Sequence, residues 1–382
     1  MYQLEQLTGI AIGDRLRKAR QAAGVTQAQA ASALSVSRPT LIAIEKGTRR
    51  AKPDEIESLV NFYGTSVNLL LAHEVPQLRL NVRFRSSGKQ PIGSDRAIAL
   101  LNKLASATVA LERLLGIALR PTPLPDPVAL VGPIRQQAED AALIARQILG
   151  IGVTPVVDIF SLLERELGFR IFVRKVPSEL SGVFGYASVT GPCILVNANH
   201  PRVRQSLTAA HELGHFLANR DSGGVVVDDQ HESTDEERFA RAFSYAFLMP
   251  APSIRRRFHE LVESNKVFTP RHLVYMALSF HVSTEAMCRR LEKLELLPNG
   301  TFDSLRDRGF KATRIAAQQA DHGMRNPHGM RLAQLAASAL NRELLSEGQV
   351  SRLLDLDRVE VRRMIEDVFG NAAEDSIDIR LG

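Results

Sequence analysis

The stretch "TAAHELGHFLAN", residues 208–219, sets His211 and His215 four positions apart with Glu212 directly after the first. On a helix that spacing stacks both imidazoles on one face, a turn apart, so two ring nitrogens can converge on one metal ion while Glu212 reaches a water held there. Leu207, Ala210, Gly214 and Leu217 recur at helical spacing beside them and predict a buried stripe, and Pro201 opens the helix. Two histidines leave a metal site incomplete. The third donor must come from another segment. "DEERFARAFSYAFLMP" has helical period, with Phe239, Phe243 and Phe247 (or Ala246) recurring until Pro250 stops it. Glu237, twenty-two positions after His215, is the candidate ligand, with Asp235 and Glu236 as weaker ones. Cys193 and Cys288 read as small core residues rather than nucleophiles.

The elements that must position these side chains are legible on both sides. Helices are expected over about 135–149 and 155–167, followed by three strands, "FRIFV", "GVFGYAS" and "CILVNAN", that make a small sheet. An extended peptide could add as a strand beside "GVFGYAS". From about 135 to 295 the chain resembles the ImmA/IrrE family of metallopeptidases, on "ILVNAN", "AAHELGHFLAN", "ERFARAFSYAFLMP" and "VSTEAMCRRLEKLELL". The resemblance implies Zn2+ held by His211, His215 and Glu237, the last standing three residues before Ala240, with an open fourth position for water. It implies Glu212 as general base, and Mn2+ could occupy the same ligands. Arg241 stands where the family commonly has Asn. Tyr186, Tyr245 and His200 are the candidates for stabilising an oxyanion, and nothing in the sequence selects among them.

The N-terminal region carries different chemistry. The net charge of +6 is concentrated in residues 1–90, which hold 13 Lys and Arg against 7 Asp and Glu, so the remainder is neutral. A basic segment on a neutral body points to a polyanion such as nucleic acid. Gly24 ends a first helix, Thr26 caps a second, "QAQAASAL", and Ser37 caps a third, "RPTLIAIEKG", with Pro39 tolerated in its first turn. "RLRKARQAAGVTQAQAASALSVSRPTLIAIEKG" resembles the Xre/Cro-type helix-turn-helix family, which places its third helix in the major groove. The resemblance puts Arg38, Pro39 and Ala43 toward base edges and Gln27 and Thr40 toward phosphates. Arg38 alone of these can make a bidentate contact to guanine. Ser35 departs from the pattern, which has Gly in a left-handed turn there.

Residues 95–119 read as a long apolar helix, open to a dimerisation role or to covering the peptidase-like body. Pro121, Pro123, Pro125 and Pro127 then alternate as a stiff spacer. Residues 301–382 carry two smaller helices after "TFDSLRDRGF", with a further helix, turn, helix cadence and Ser346 and Asp357 serving as caps. Their balanced charge points to an oligomer or substrate contact rather than a second grip on DNA. The expected domains are 1–75 (helix-turn-helix), 76–134 (helical arm and linker), 135–300 (metallopeptidase) and 301–382 (helical C-terminal region). The fold class is mainly α with a small β-sheet (α+β): an all-helical domain, a zincin-like domain and a helical C-terminal region.

At 382 residues and 45% hydrophobic content the chain can bury more than one core. Apolar runs break well before membrane length, no secretory leader is recognised, and two cysteines are too few for a disulfide framework, so a cytoplasmic location and no membrane partner are expected. The reading that absorbs most residues is a bacterial DNA-binding regulator with a zinc endopeptidase domain that cleaves a specific repressor. Its partners would be a double-stranded operator and a protein substrate, with a homodimer open. The alternative is a transcription factor whose zincin-like domain senses or binds a partner without cutting. The two readings part at Glu212, which catalysis requires and ligation does not.

Overall fold

The computed structural model describes residues 9–65, 67, 70, 80, 93–117, 127–187, 190–219, 224–227, 234–310 and 329–369. Pro121, Pro123 and Pro125 lie outside them. Among the described residues there are sixteen helices and one four-stranded sheet, a mainly α architecture with a small β component. No helix among them is long and apolar enough to cross a membrane. The chain divides into two compact units, one of Met1–Gln77, Ser106–Leu119 and Ala333–Gly382, the other of Leu78–Ala105 and Arg120–Leu332.

The first unit begins with α1 (Gly9–Ala22), α2 (Gln27–Ala33), α3 (Arg38–Glu45) and α4 (Pro53–Tyr63). Local chemistry starts each short helix. Thr26 accepts from the Gln29 N–H while the Gln29 side chain returns to the Thr26 N–H, and Ser37 accepts from the Thr40 N–H. Leu16, Ala30, Leu41, Ile44 and Leu59 close the core between the helices. Ser35 takes the left-handed conformation that the turn requires, at φ +55°. At Gly13 a Cβ would come within 2.3 Å of the Ile44 carbonyl oxygen, so only glycine lets α1 approach the end of α3 this closely.

Residues of α5 (Ser94–Leu115) fall into both units. The second unit continues through α6 (Ile134–Ile148), α7 (Ile159–Glu166), β1 (Arg170–Arg174), β2 (Leu180–Ala187), β3 (Gly191–Asn197) and α8 (Arg202–Ala218). After these come β4 (Gly224–Val227), α9 (Asp235–Leu248), α10 (Ala251–Asn265), α11 (Pro270–Ser279), α12 (Thr284–Lys293) and α13 (Thr301–Asp307). The chain's last described elements are α14 (Met330–Asn341), α15 (Glu347–Leu354) and α16 (Arg358–Phe369).

The three expected strands are present and a fourth joins them, in the order β1-β3-β2-β4. β1 runs parallel to β3, and β2 pairs antiparallel with β3 and with β4. β4, four residues long, was not expected from the sequence, and it narrows one reading. Its pairing with Leu180 to Phe184 covers the first part of the outer edge of β2, so beside "GVFGYAS" an added peptide strand is left the stretch from Gly185 onward.

α8 also differs from its expected single stripe. From Thr208 to Leu217 every residue is buried, because the sheet covers one side and α9 the other. A Cβ on Gly182 of β2 would meet the Thr208 methyl at 2.9 Å, and one on Gly214 would meet the Ala240 Cα at 2.8 Å. α9 is tied down at its C-terminal end by two buried guanidiniums. Arg146 donates to the Phe247, Gly152 and Thr154 carbonyls, and Arg290 donates to the Met249 carbonyl at 2.9 Å while pairing with Glu139. Cations at a helix C-terminus satisfy its open carbonyls and oppose its dipole.

Candidate metal centre and helix-turn-helix face

His211 and His215 lie one turn apart on α8, and Glu237 faces them from the first turn of α9. The two histidine Nε2 atoms are 3.0 Å apart. Glu237 Oε1 is 3.3 Å from His211 Nε2, and its Oε2 is 3.2 Å from His215 Nε2. A tetrahedral ion with ligand bonds of about 2.0–2.1 Å holds its donors about 3.3 Å apart, which is the separation of each histidine nitrogen from a Glu237 oxygen. Two soft-to-borderline nitrogens and one carboxylate are a donor set that suits zinc. The group is the cluster of metal-capable side chains found among the described residues. Its histidines are buried and the Glu237 side chain is a quarter exposed, so the carboxylate forms the rim. Burial alone would raise the Glu237 carboxyl, but the imidazoles beside it outweigh that and hold it far below the usual carboxylate range.

The neighbouring acids are directed elsewhere. Asp235 pairs with Arg238, and Glu236 accepts from Asn219 Nδ2 at 3.2 Å. Of the three acids at the head of α9, Glu237 is therefore the one brought to the histidines. Glu212, fully buried, sits under β2, where a Cβ on Gly182 would lie 3.7 Å from its Oε1.

At the other site, Arg38 and Pro39 are exposed at the head of α3, with Gln27, Thr40 and Ala43 half-exposed around them. Arg38 Nη2 donates to Gln27 Oε1 at 3.4 Å, and Gln27 Nε2 donates to Glu45 Oε2 at 3.0 Å. Glu45 in turn is held by Arg20 of α1, at 2.6 Å from Nε and 3.2 Å from Nη2. A buried ion pair thus anchors the polar face. Neither Arg20 nor Glu45 was singled out in the sequence, where they stand 25 positions apart.

Residues 164–292, which contain the whole metal cluster and Glu212, match the model of the peptidase family described as IrrE N-terminal-like domain. Residues 11–72 match that of a helix-turn-helix domain. The chain joins an IrrE N-terminal-like domain to an N-terminal helix-turn-helix domain. No curated protein and no solved structure gives a significant match.

Within the IrrE-like domain, Arg241 is one residue that the sequence raised only as a departure. Its guanidinium stands 4.0 Å from Glu237 Oε1, one turn further along α9. The signal that could have found it is the i,i+4 spacing of opposite charges. The three oxyanion candidates are engaged in other contacts. The Tyr186 ring packs at 6.0 Å from that of Phe216, Tyr245 lies under the Lys293 ammonium at 4.9 Å, and His200 Nε2 meets the Ser178 carbonyl at 3.0 Å. Both cysteines of the IrrE-like domain are buried.

Proposed function

We propose that this chain is a DNA-binding regulator whose IrrE-like domain is a zinc endopeptidase, with a repressor protein as its substrate. The observation that carries the reading is the convergence of His211 Nε2, His215 Nε2 and Glu237 on one point, at separations that fit a tetrahedral ion. His211, His215 and Glu237 would hold Zn2+, or Mn2+ in its place. A divalent ion bound there supplies Lewis acidity, which activates water at neutral pH and polarises a peptide carbonyl.

The remaining work falls to the chain. Glu212, next to His211 on α8, takes a proton from the attacking water and returns it to the leaving amine. Its burial under Gly182 limits it to few orientations. Arg241 orients the Glu237 carboxylate, and the arginines on the α9 carbonyls keep that helix from sliding. In the N-terminal domain, Arg38, Pro39 and Ala43 face base edges, and Gln27 and Thr40 face phosphates. Joining both functions in one chain would hold the peptidase at an operator close to a DNA-bound substrate.

The deciding experiment compares new protein N-termini in cells that express the wild type with those in cells that express Glu212→Gln, alongside elemental analysis of both purified proteins. The expected result is zinc in both and a new N-terminus with the wild type alone. Zinc in both with no difference in N-termini would sink the peptidase and leave a domain that binds without cutting.

A further inference from the structure

The C-terminal helices repeat the N-terminal ones position by position, at a constant 320 residues' distance from Thr26 onward. Thr26 and Ser346 each accept from the N–H of a glutamine three residues on, Gln29 or Gln349, at 3.3 Å in both cases. Each glutamine side chain returns to the cap N–H, at 2.9 and 2.7 Å. The turns match as well, with Ser35 and Asp355 both left-handed at φ +55° and +56°. Ser37 and Asp357 then cap α3 and α16, accepting from Thr40 N–H at 3.4 Å and Glu360 N–H at 2.8 Å. Leu41 and Ile44 fill the core inside α3, and Val361 and Met364 hold the same positions inside α16. Even the preceding helices end alike: α1 closes on Gly24 and α14 on Glu343, each left-handed and each donating three residues back. One added residue between α14 and α15 is the difference in spacing.

We propose that residues 330–369 are a second helix-turn-helix module whose α16 contacts double-stranded DNA through Arg358, Val359 and Arg363. These stand where Arg38, Pro39 and Ala43 stand on α3, and all three are exposed. Arg358 and Arg363 offer guanidiniums to guanine edges or phosphates, and Val359, 54% exposed, is an apolar group of the kind that meets a thymine methyl.

The overall charge balance of this segment misdescribes the face. Glu347, at the place of Gln27, is paired with Arg362 at 2.6 Å. Asp357 and Glu360 bond each other's N–H groups at the head of α16, where helix amides favour carboxylates. Asp355 occupies the turn, and Glu366 and Asp367 lie toward the far end of the helix. The module is also tied to the N-terminal helices. Gln349 Nε2 donates to the Thr65 carbonyl at 2.9 Å, and the Arg352 guanidinium packs against Gly64, at the end of α4. One chain would then carry two DNA readers in a single compact unit and read a two-part site without a second copy. The inference rests on the N-terminal module being a DNA reader.

The test is selection from a random-sequence duplex library about four helical turns long. It is run with full-length wild type, with Arg38→Ala and with the double variant Arg358→Ala, Arg363→Ala. Wild type should enrich a bipartite sequence, and each variant should lose a different half of it. On the wild-type sequence the double variant should bind roughly tenfold or more weakly, with the salt slope reduced by up to about 2. A companion pair, Arg358→Lys and Arg363→Lys, should keep the salt slope and relax the base preference. If Arg38→Ala loses binding while the double variant keeps sequence, affinity and salt slope, α16 is not a DNA reader, and a protein contact takes its place. If no protein enriches any sequence, the DNA reading of both modules falls together.

Discussion

Gly214 and Ala240 bring α8 and α9 into backbone contact: a Cβ on Gly214 would lie 2.8 Å from the Ala240 Cα and 3.1 Å from its carbonyl oxygen. Gly214 lies between His211 and His215, and Ala240 lies three residues after Glu237. The contact therefore sets the distance between Glu237 and the two histidines. Gly214→Ala must push the helices apart, because the obstructing atoms are backbone and not the far end of a flexible side chain. Overpacking of this kind costs about 1–3 kcal/mol in stability. Metal affinity is expected to fall by tenfold or more, as for other changes that misorient ligands. Competition with a chromogenic chelator measures it, and unchanged affinity would mean that the helix spacing does not set the site.

Ser35 holds a left-handed conformation that costs a non-glycine residue about 1 kcal/mol. Its side chain is exposed, so Ser35→Gly removes strain and sacrifices little packing. Denaturant unfolding followed in the helix-turn-helix region should show a gain of up to about 1 kcal/mol, less the entropy that glycine adds to the unfolded chain. A loss of stability would show that the serine hydroxyl contributes more than the backbone strain removes.

What was legible in the sequence was local. Thr26, Ser37, Ser346 and Asp357 announce their helices because a cap is a contact between residues three apart, and His211 and His215 announce their site because one helical turn relates them. Glu237 followed from the family pattern and from helical period in the next segment. The missed features depend on contacts that no short window contains. β4 is a four-residue run whose pairing with β2 decides which edge is open. Gly214 read as one member of an apolar stripe, whereas its role is to have no side chain opposite Ala240. Arg20 and Glu45 are ordinary surface types until folding buries them together. The likeness of α15 and α16 to α2 and α3 was audible as a cadence, but a count of charges on the whole segment hid which of them are spent on caps.

Breaking the Arg20 to Glu45 pair should affect stability and DNA contact together. Both side chains are nearly buried, at 10% and 2% exposure, so removing one leaves the other charged in the core. Glu45→Ala is expected to cost about 3–5 kcal/mol. It also removes the acceptor that orients Gln27, and through Gln27 the support of Arg38. At temperatures where the variant remains folded, DNA affinity should still fall severalfold. Full affinity in the folded variant would mean that the polar face does not depend on its anchor.

Glu164 gives the IrrE-like domain a pH dependence near neutrality. Burial pushes its carboxyl from 4.5 up to about 7, with Asp158 adding to the shift, while N–H bonds from Arg331 and Met330 oppose it. Arg202 lines the same small cavity but spends its charge 3.5 Å from Asp158. A carboxyl whose folded value is raised binds more protons folded than unfolded between about 4.5 and 7. Its stabilising contribution is therefore complete below that range and is lost as the pH climbs through it. The loss amounts to about 3 kcal/mol between pH 4.5 and 7. Glu164→Gln keeps an acceptor for the Arg331 N–H and cannot ionise. Unfolding measured at several pH values across this window should show the decline in the wild type and a much flatter profile in the variant. If both decline in parallel, another group carries the titration.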